Sequence, residues 1–251
     1  MNGRDDDFYV GWADRQPASI HRRVRNCVLG LLATALGLAT LLAAAQRPFL
    51  PSAFQFFDLR TFRGTVRVEP QPMLDVARPG RDAGSSSWLL VAEGKHGARP
   101  LLEDYAGEFV EFRGKLIHEG GTTMIEIAPG TLQRADGRET LPPPRQPLGR
   151  FTLAGEIVDS KCFLGVMNPG YGKVHRSCAS LCLRGGIPPL FRVPDAGGAH
   201  RRLLLLDHQG RQPGLEILDF VGEPVRLTGE VERMGELLLL RMEPGSLEAW
   251  H

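Results

Sequence analysis

Leu102-Glu-Asp-Tyr-Ala-Gly-Glu-Phe-Val-Glu-Phe-Arg-Gly114 returns 115 residues later as Ile217-Leu-Asp-Phe-Val-Gly-Glu-Pro-Val-Arg-Leu-Thr-Gly229. Self-similarity at a fixed spacing marks a repeated structural unit. The same spacing carries Asp104, Gly107, Glu108, Val110, Gly114, Gly120, Pro129, Gly130 and Leu132 onto Asp219, Gly222, Glu223, Val225, Gly229, Gly235, Pro244, Gly245 and Leu247. Trp88-Leu-Leu-Val91 meets Leu203-Leu-Leu-Leu206. Upstream the spacing falls to 91, where Phe62-Arg-Gly-Thr-Val66 matches Leu153-Ala-Gly-Glu-Ile157. The second copy therefore holds about 24 extra residues between its first two strands.

Each copy reads as β-structure. Phe109 to Ile117 alternates, and Met124–Ile127 and Leu237–Met242 are short apolar runs, the pattern of strands. Gly120-Gly121 and Met234-Gly235 supply hairpin turns. Leu101–Gly107 and Glu216–Gly222 each fit one helical turn ended by glycine. Two strands, a short helical turn and a hairpin predict a small closed barrel of the OB type. The fold class expected is all-β: two tandem OB-like small β-barrels after an N-terminal transmembrane helix. The expected boundaries are 1–26 for a cytoplasmic tail, 27–45 for the transmembrane helix and 56–136 for the first barrel. Residues 137–150 form a Pro-rich linker, and 151–251 form the second barrel with its insertion. One continuous β-sandwich is the competing architecture.

The uncharged run Cys27 to Ala45 extends roughly 28 Å as a helix, enough to cross a bilayer core. Arg15, Arg22, Arg23 and Arg25 precede it and only Arg47 follows closely. The positive-inside rule then places the N-terminus in the cytoplasm and the body in the periplasm of a bacterial inner-membrane protein. Ala43-Ala44-Ala45 also fits a signal-peptide cleavage site, and Arg22-Arg23 raises a twin-arginine signal. All three readings export the same body. A net charge of +1 and 7% aromatic residues argue against nucleic acid as a partner. The expected partners are the inner membrane and other membrane or periplasmic protein subunits.

The insertion concentrates the chemistry. Cys162, His175, Cys178 and Cys182 fall within 21 consecutive residues, beside Asp159 and ahead of Gly185-Gly186 and Pro188. The spacing of His175, Cys178 and Cys182 places them on one face of a helix, which the glycines cap and Pro188 ends. Three sulfurs and one nitrogen make a tetrahedral set for zinc, and soft ligands also suit copper. Asp159 would orient His175 by a hydrogen bond. The alternative is a disulfide staple, which exported proteins retain. With Cys27 in the membrane run, three exported cysteines remain, so one thiol stays spare or redox-active. The first copy closes its barrel with no cysteine, so the insertion is not needed merely to fold one.

Gly155-Glu-Ile-Val-Asp-Ser-Lys-Cys162 and His175-Arg-Ser-Cys-Ala-Ser-Leu-Cys182 resemble a largely uncharacterised family of exported bacterial OB-like domains. That family opens with G-x-I-x-D-x-x-C and carries a later H-x-x-C-A-x-x-C. The resemblance covers the second copy only and implies export without naming an activity. Asp7 to Gly11 resembles the start of small bacterial membrane proteins. His96, His118, His200 and His208 read as solvated turn residues, and Asp5 to Asp7 as a solvated tail. No acid–base pair, Walker loop, dinucleotide fingerprint or His-Glu-x-x-His is present. The reading favours a non-enzymatic role: a metal-binding or redox-linked accessory subunit. A thiol–disulfide or electron-transfer component and a purely structural interaction module are the alternatives.

Overall fold

The computed structural model describes residues 17–45, 52–78, 84–195 and 200–250. The chain divides into two units, Met1–Phe49 and Leu50–His251, and each is taken by itself. The first holds helix α1, Ala18–Ala45. Pro17 precedes it and accepts the His21 N–H at 2.9 Å, as suits a proline at a helix start. The arginines at 22, 23 and 25 are good helix formers, so the helix takes in residues 18–26, which were expected in the tail. Residues 1–16 of that tail, with Asp5 to Asp7 and the Asp7–Gly11 start, lie outside the described residues. With 28 residues and a mean hydropathy of 2.2 in its most apolar stretch, α1 is long and apolar enough to cross a membrane.

The second unit is built from two closed five-stranded barrels. In the first, β1 (Ser52–Arg67), β2 (Met73–Ala77), β3 (Ser85–Val91), β4 (Phe109–Glu119) and β5 (Thr122–Ile127) close in the order 1-2-3-5-4-1. Between β3 and β4 lies a short helix, α2 (Arg99–Leu102). A two-residue strand β6 (Gln133–Arg134) pairs with β4. The second barrel repeats this with β7 (Arg145–Asp159), β8 (Pro189–Pro194), β9 (His200–Leu206), β10 (Pro224–Met234) and β11 (Leu237–Met242), and β12 (Glu248–Ala249) pairs with β10. Its insertion carries helix α3 (Arg176–Arg184).

The two barrels agree in register as well as in topology. Leu89 faces Met124 across the parallel pair, as Leu204 faces Leu239. Gly114 faces Ile127, as Gly229 faces Met242. All four pairs keep the spacing of 115. On the first strands Gly64 faces Val110 and Gly155 faces Val225, 91 apart. On the second, Leu74 faces Trp88 and Phe191 faces Leu203, 117 apart. The insertion is thus 26 residues between β7 and β8, and the next loop is shorter by two, where the sequence suggested a single step of about 24. A side chain at Gly155 would strike the Arg192 carbonyl, and one at Gly229 the Arg241 carbonyl. The repeated glycines therefore mark close strand crossings at the barrel corners.

Residues read as linker, or as lying ahead of the first barrel, prove to be structured. β7 begins at Arg145, inside the stretch read as linker. Upstream of it, Gly137 lies against the Phe109 ring and the Thr140 N–H donates to Thr65 Oγ1 at 2.8 Å. β1 begins at Ser52 and pairs Phe54 with Ile117 before a bulge that ends at Leu59.

Three apolar clusters fill the body. One is inside the first barrel, around Phe62, Leu90, Phe112 and Ile125. A second is inside the other barrel, around Ile157, Phe191, Leu205 and Leu240. The third joins Met73, Leu89, Ile117 and Met124 of the first barrel to Cys162, Leu164, Cys182, Ile187, Leu204 and Leu239 of the second. The insertion is the wedge between the barrels. Gly97 donates to the Gly185 carbonyl at 2.8 Å, and a Cβ at Gly97 would collide with the Gly186 carbonyl oxygen. Gly97→Ala is expected to lose about 1–3 kcal/mol through overpacking, read as a lower denaturation midpoint of the full chain in detergent. An unchanged midpoint would mean that the loop and the insertion do not meet.

Candidate metal centre

Strand β7 ends at Asp159, which is fully buried. Its Oδ1 accepts the Cys162 N–H at 2.8 Å, a short aspartate side chain capping the turn that follows. That turn is a π-turn over Cys162–Val166, closed by Met167 N–H to the Cys162 carbonyl at 3.1 Å. The chain then returns through His175, the residue just ahead of α3. At the far end of α3, Gly186 has φ 90° and donates to Leu183 O, and Ile187 donates to Cys182 O, each at 3.0 Å. Those two bonds, with Ile187 and Cys182 in one apolar cluster, form a Schellman cap. Glycine is needed at 186 for its positive φ.

Cys178 and Cys182 are four apart on α3 and share a face. Cys162 Sγ lies 3.9 Å from Cys178 Sγ and 4.0 Å from Cys182 Sγ, and all three sulfurs fall within 4.8 Å of one another. A disulfide would require ~2.05 Å, and the described cysteines are all unpaired. Sulfurs ~2.3 Å from one shared ion would stand roughly 3.8–4.0 Å apart. Two of the separations meet that spacing and the third lies within 4.8 Å, so the cluster could hold a metal ion. Cys162 and Cys182 are buried, and Cys178 is half-buried.

His175 takes a different place from the one its spacing suggests. Buried, it sets Nε2 3.1 Å from Asp159 Oδ2. It groups with Asp159 and Cys162, and those three also offer atoms within 4.8 Å of one another. The three-sulfur group does not include it. Cys162 thus belongs to both groups. The backbone at His175 is already helical, with Ala179 N–H donating to its carbonyl at 3.0 Å, and the imidazole turns to Asp159 and away from Cys178 and Cys182.

Two lysines complete the site. Lys161 Nζ, almost wholly buried, meets Glu126 Oε2 at 2.6 Å and the carbonyls of Ala92 and Gly94 at 2.9 and 2.6 Å. This ties the residue before Cys162 to β5 and to the 92–97 loop of the first barrel. From that loop, exposed Lys95 reaches over the sulfurs, with Nζ 2.8 Å from Cys178 Sγ and 3.7 Å from Cys182 Sγ. The hydrogen bond to Cys178 raises the Lys95 pKa, with smaller help from the thiolate charge of Cys182, Cys178 and Cys162. The Cys162 thiol is pushed far up, first by its hydrogen bond with Cys182, then by burial and by the Asp159 carboxylate. Cys182 is lowered as the partner in that bond, with Lys95 assisting.

Sequence reasoning located Asp159, Cys162, His175, Cys178 and Cys182 but missed both lysines. A signal existed: the chain has only four lysines, and two of them line this site. His200, expected to be solvated, packs near Phe163 and Tyr171 and sits 3.0 Å from Arg192 Nη2. Burial, followed by Arg192 and Arg202, lowers its pKa.

Comparison with family models, with curated proteins and with solved structures finds no match to this chain.

Exposure orders the thiols. In metal-free, reduced protein with Cys27→Ser, iodoacetamide is expected to modify Cys178 before Cys162 and Cys182, as read by peptide mass spectrometry. Earlier modification of Cys162 would contradict the buried placement of that sulfur.

Proposed function

We propose that this chain is a membrane-anchored accessory protein that carries a metal-binding centre on the exported side of a bacterial inner membrane. It would act as a subunit of, or supplier to, a larger membrane complex. The convergence of the Cys162, Cys178 and Cys182 sulfurs at metal-sharing distance carries this reading. His175 and Asp159 serve as positioning residues: the imidazole braced on Asp159 lies next to Cys162, and Asp159 fixes the Cys162 backbone. The candidate ions are zinc and copper, which accept thiolate and imidazole donors. The arginine-rich approach to the apolar helix supports the N-in orientation, and the resemblance of the insertion to exported bacterial domains supports the compartment. The common register of the barrels supports an internal duplication in which one copy gained the insertion.

A second reading is a thiol–disulfide or electron-transfer role. It is favoured by Cys178, whose half-exposed sulfur lies beside the Lys95 ammonium.

Elemental analysis with a free-thiol count on full-length protein in detergent separates the two. The metal reading expects about one ion per chain and three reduced thiols in the body, protected while the metal is bound. Cys162→Ser, Cys178→Ser and Cys182→Ser should each abolish retention, and His175→Ala should weaken it. Saturating metal at about 100 times Kd should add roughly 2.7 kcal/mol to stability, measured by denaturation with and without a chelator. One stable disulfide and no metal would overturn the metal reading in favour of the second.

A further inference from the structure

The identity of the ion and the part played by the neighbouring barrel follow from who stands around the sulfurs. Three cysteine sulfurs face one another, and the donor that would complete a tetrahedron is not among them. His175 meets Asp159 through Nε2 and keeps Nδ1 free, but of the cysteines it groups with Cys162 alone, away from Cys178 and Cys182. The position over Cys178 and Cys182 is taken instead by the Lys95 ammonium, which has three N–H donors and no lone pair to offer a metal. Structural zinc sites take four ligands in a closed tetrahedron. A cuprous ion is softer, prefers thiolates, and is satisfied by three sulfurs in a plane. For a metal–sulfur distance of ~2.3 Å a planar set separates its sulfurs by about 4.0 Å, against roughly 3.8 Å for a tetrahedral one. The separations from Cys162, 3.9 and 4.0 Å, suit either set, so the missing fourth donor and not the spacing selects the planar one.

Charge argues the same way. Three thiolates around a monovalent ion leave a net charge of −2, which is costly where two of the sulfurs are buried. Lys95 supplies one compensating positive charge in hydrogen-bond contact with the set. It comes from the first barrel, on a loop whose carbonyls at Ala92 and Gly94 hold Lys161.

Resting on the metal-binding reading above, we infer that the centre is a three-coordinate cuprous site built from Cys162, Cys178 and Cys182. Lys95 of the neighbouring barrel covers and charge-balances it. Lys95 is a positioning residue: it touches the sulfurs, not the ion.

The test uses full-length, metal-free protein in detergent under anaerobic reducing conditions. Cuprous copper is titrated against a colorimetric Cu(I) chelator, and zinc against a colorimetric Zn(II) chelator. X-ray absorption at the copper edge then reads the ligand shell. The expected result is one Cu(I) per chain, three sulfur neighbours with no nitrogen, and displacement of zinc by copper. Lys95→Gln should weaken Cu(I) binding about tenfold, Lys95→Arg should restore it, and circular dichroism of both should match the parent. A four-donor shell containing nitrogen, zinc retained against Cu(I), or unchanged Cu(I) affinity in Lys95→Gln would overturn this inference while leaving a metal centre standing. Failure to bind either ion would overturn the metal-binding reading itself, and this inference with it.

Discussion

The arrangement turns on one buried ammonium. Lys161 places its charge where almost no solvent reaches, and removing a charge from water costs several kcal/mol unless partners replace the lost hydration. Glu126 and the carbonyls of Ala92 and Gly94 do so. Two of those partners lie on the loop that carries Lys95, and the third on a strand of the first barrel. Lys161 is also the residue next to Cys162. A single interaction therefore fixes where the insertion meets the first barrel, where the first cysteine of the cluster starts, and where Lys95 is delivered. The hydrophobic cluster running from Met73 and Leu89 to Ile187 and Leu239 adds stability to the contact. It is non-directional, however, and would tolerate a shift that the lysine does not.

That contact explains why an OB-like barrel can carry 26 additional residues without losing its closure. The interior of the second barrel is filled mainly from its strands, by Ile157, Phe191, Leu205 and Leu240. The insertion contributes Ala179 and Leu183 to that interior and turns Cys178 and Cys182 toward the inter-barrel cluster. A short helix is marginal alone. This one is held at one end by the Schellman cap and on two faces by apolar packing. The sulfurs thus sit on a helix fixed against two rigid bodies, as a site needs if its donors are to be preorganised.

Much of the fold was legible because it rests on local rules applied twice. Turn glycines at 120 and 235, the glycine-ended helical turns before β4 and β10, and strand alternation are all short-range signals, and the spacing of 115 showed that they recur. The site was legible where it is local as well: Asp159 to Cys162 is one turn, and Cys178 to Cys182 is one face of a capped helix. Three features were not legible. The insertion's true length was hidden because the next loop of the second barrel is two residues shorter than its counterpart. The imidazole of His175 turns to Asp159 and away from Cys178 and Cys182, an orientation that helical spacing does not report. Lys95 stands 83 positions from Cys178, and no local pattern reports a contact made across two barrels. The scarcity of lysine was the one clue available.

The central claim is that the three sulfurs share one ion at the junction of the barrels. Anomalous diffraction from crystals of the metal-loaded protein tests this most directly. The account predicts a single anomalous peak ~2.3 Å from Cys162, Cys178 and Cys182 Sγ, with Lys95 still lying over the sulfurs. A continuous disulfide from Cys162 to Cys178 or Cys182, with no anomalous peak beside it, would contradict the account.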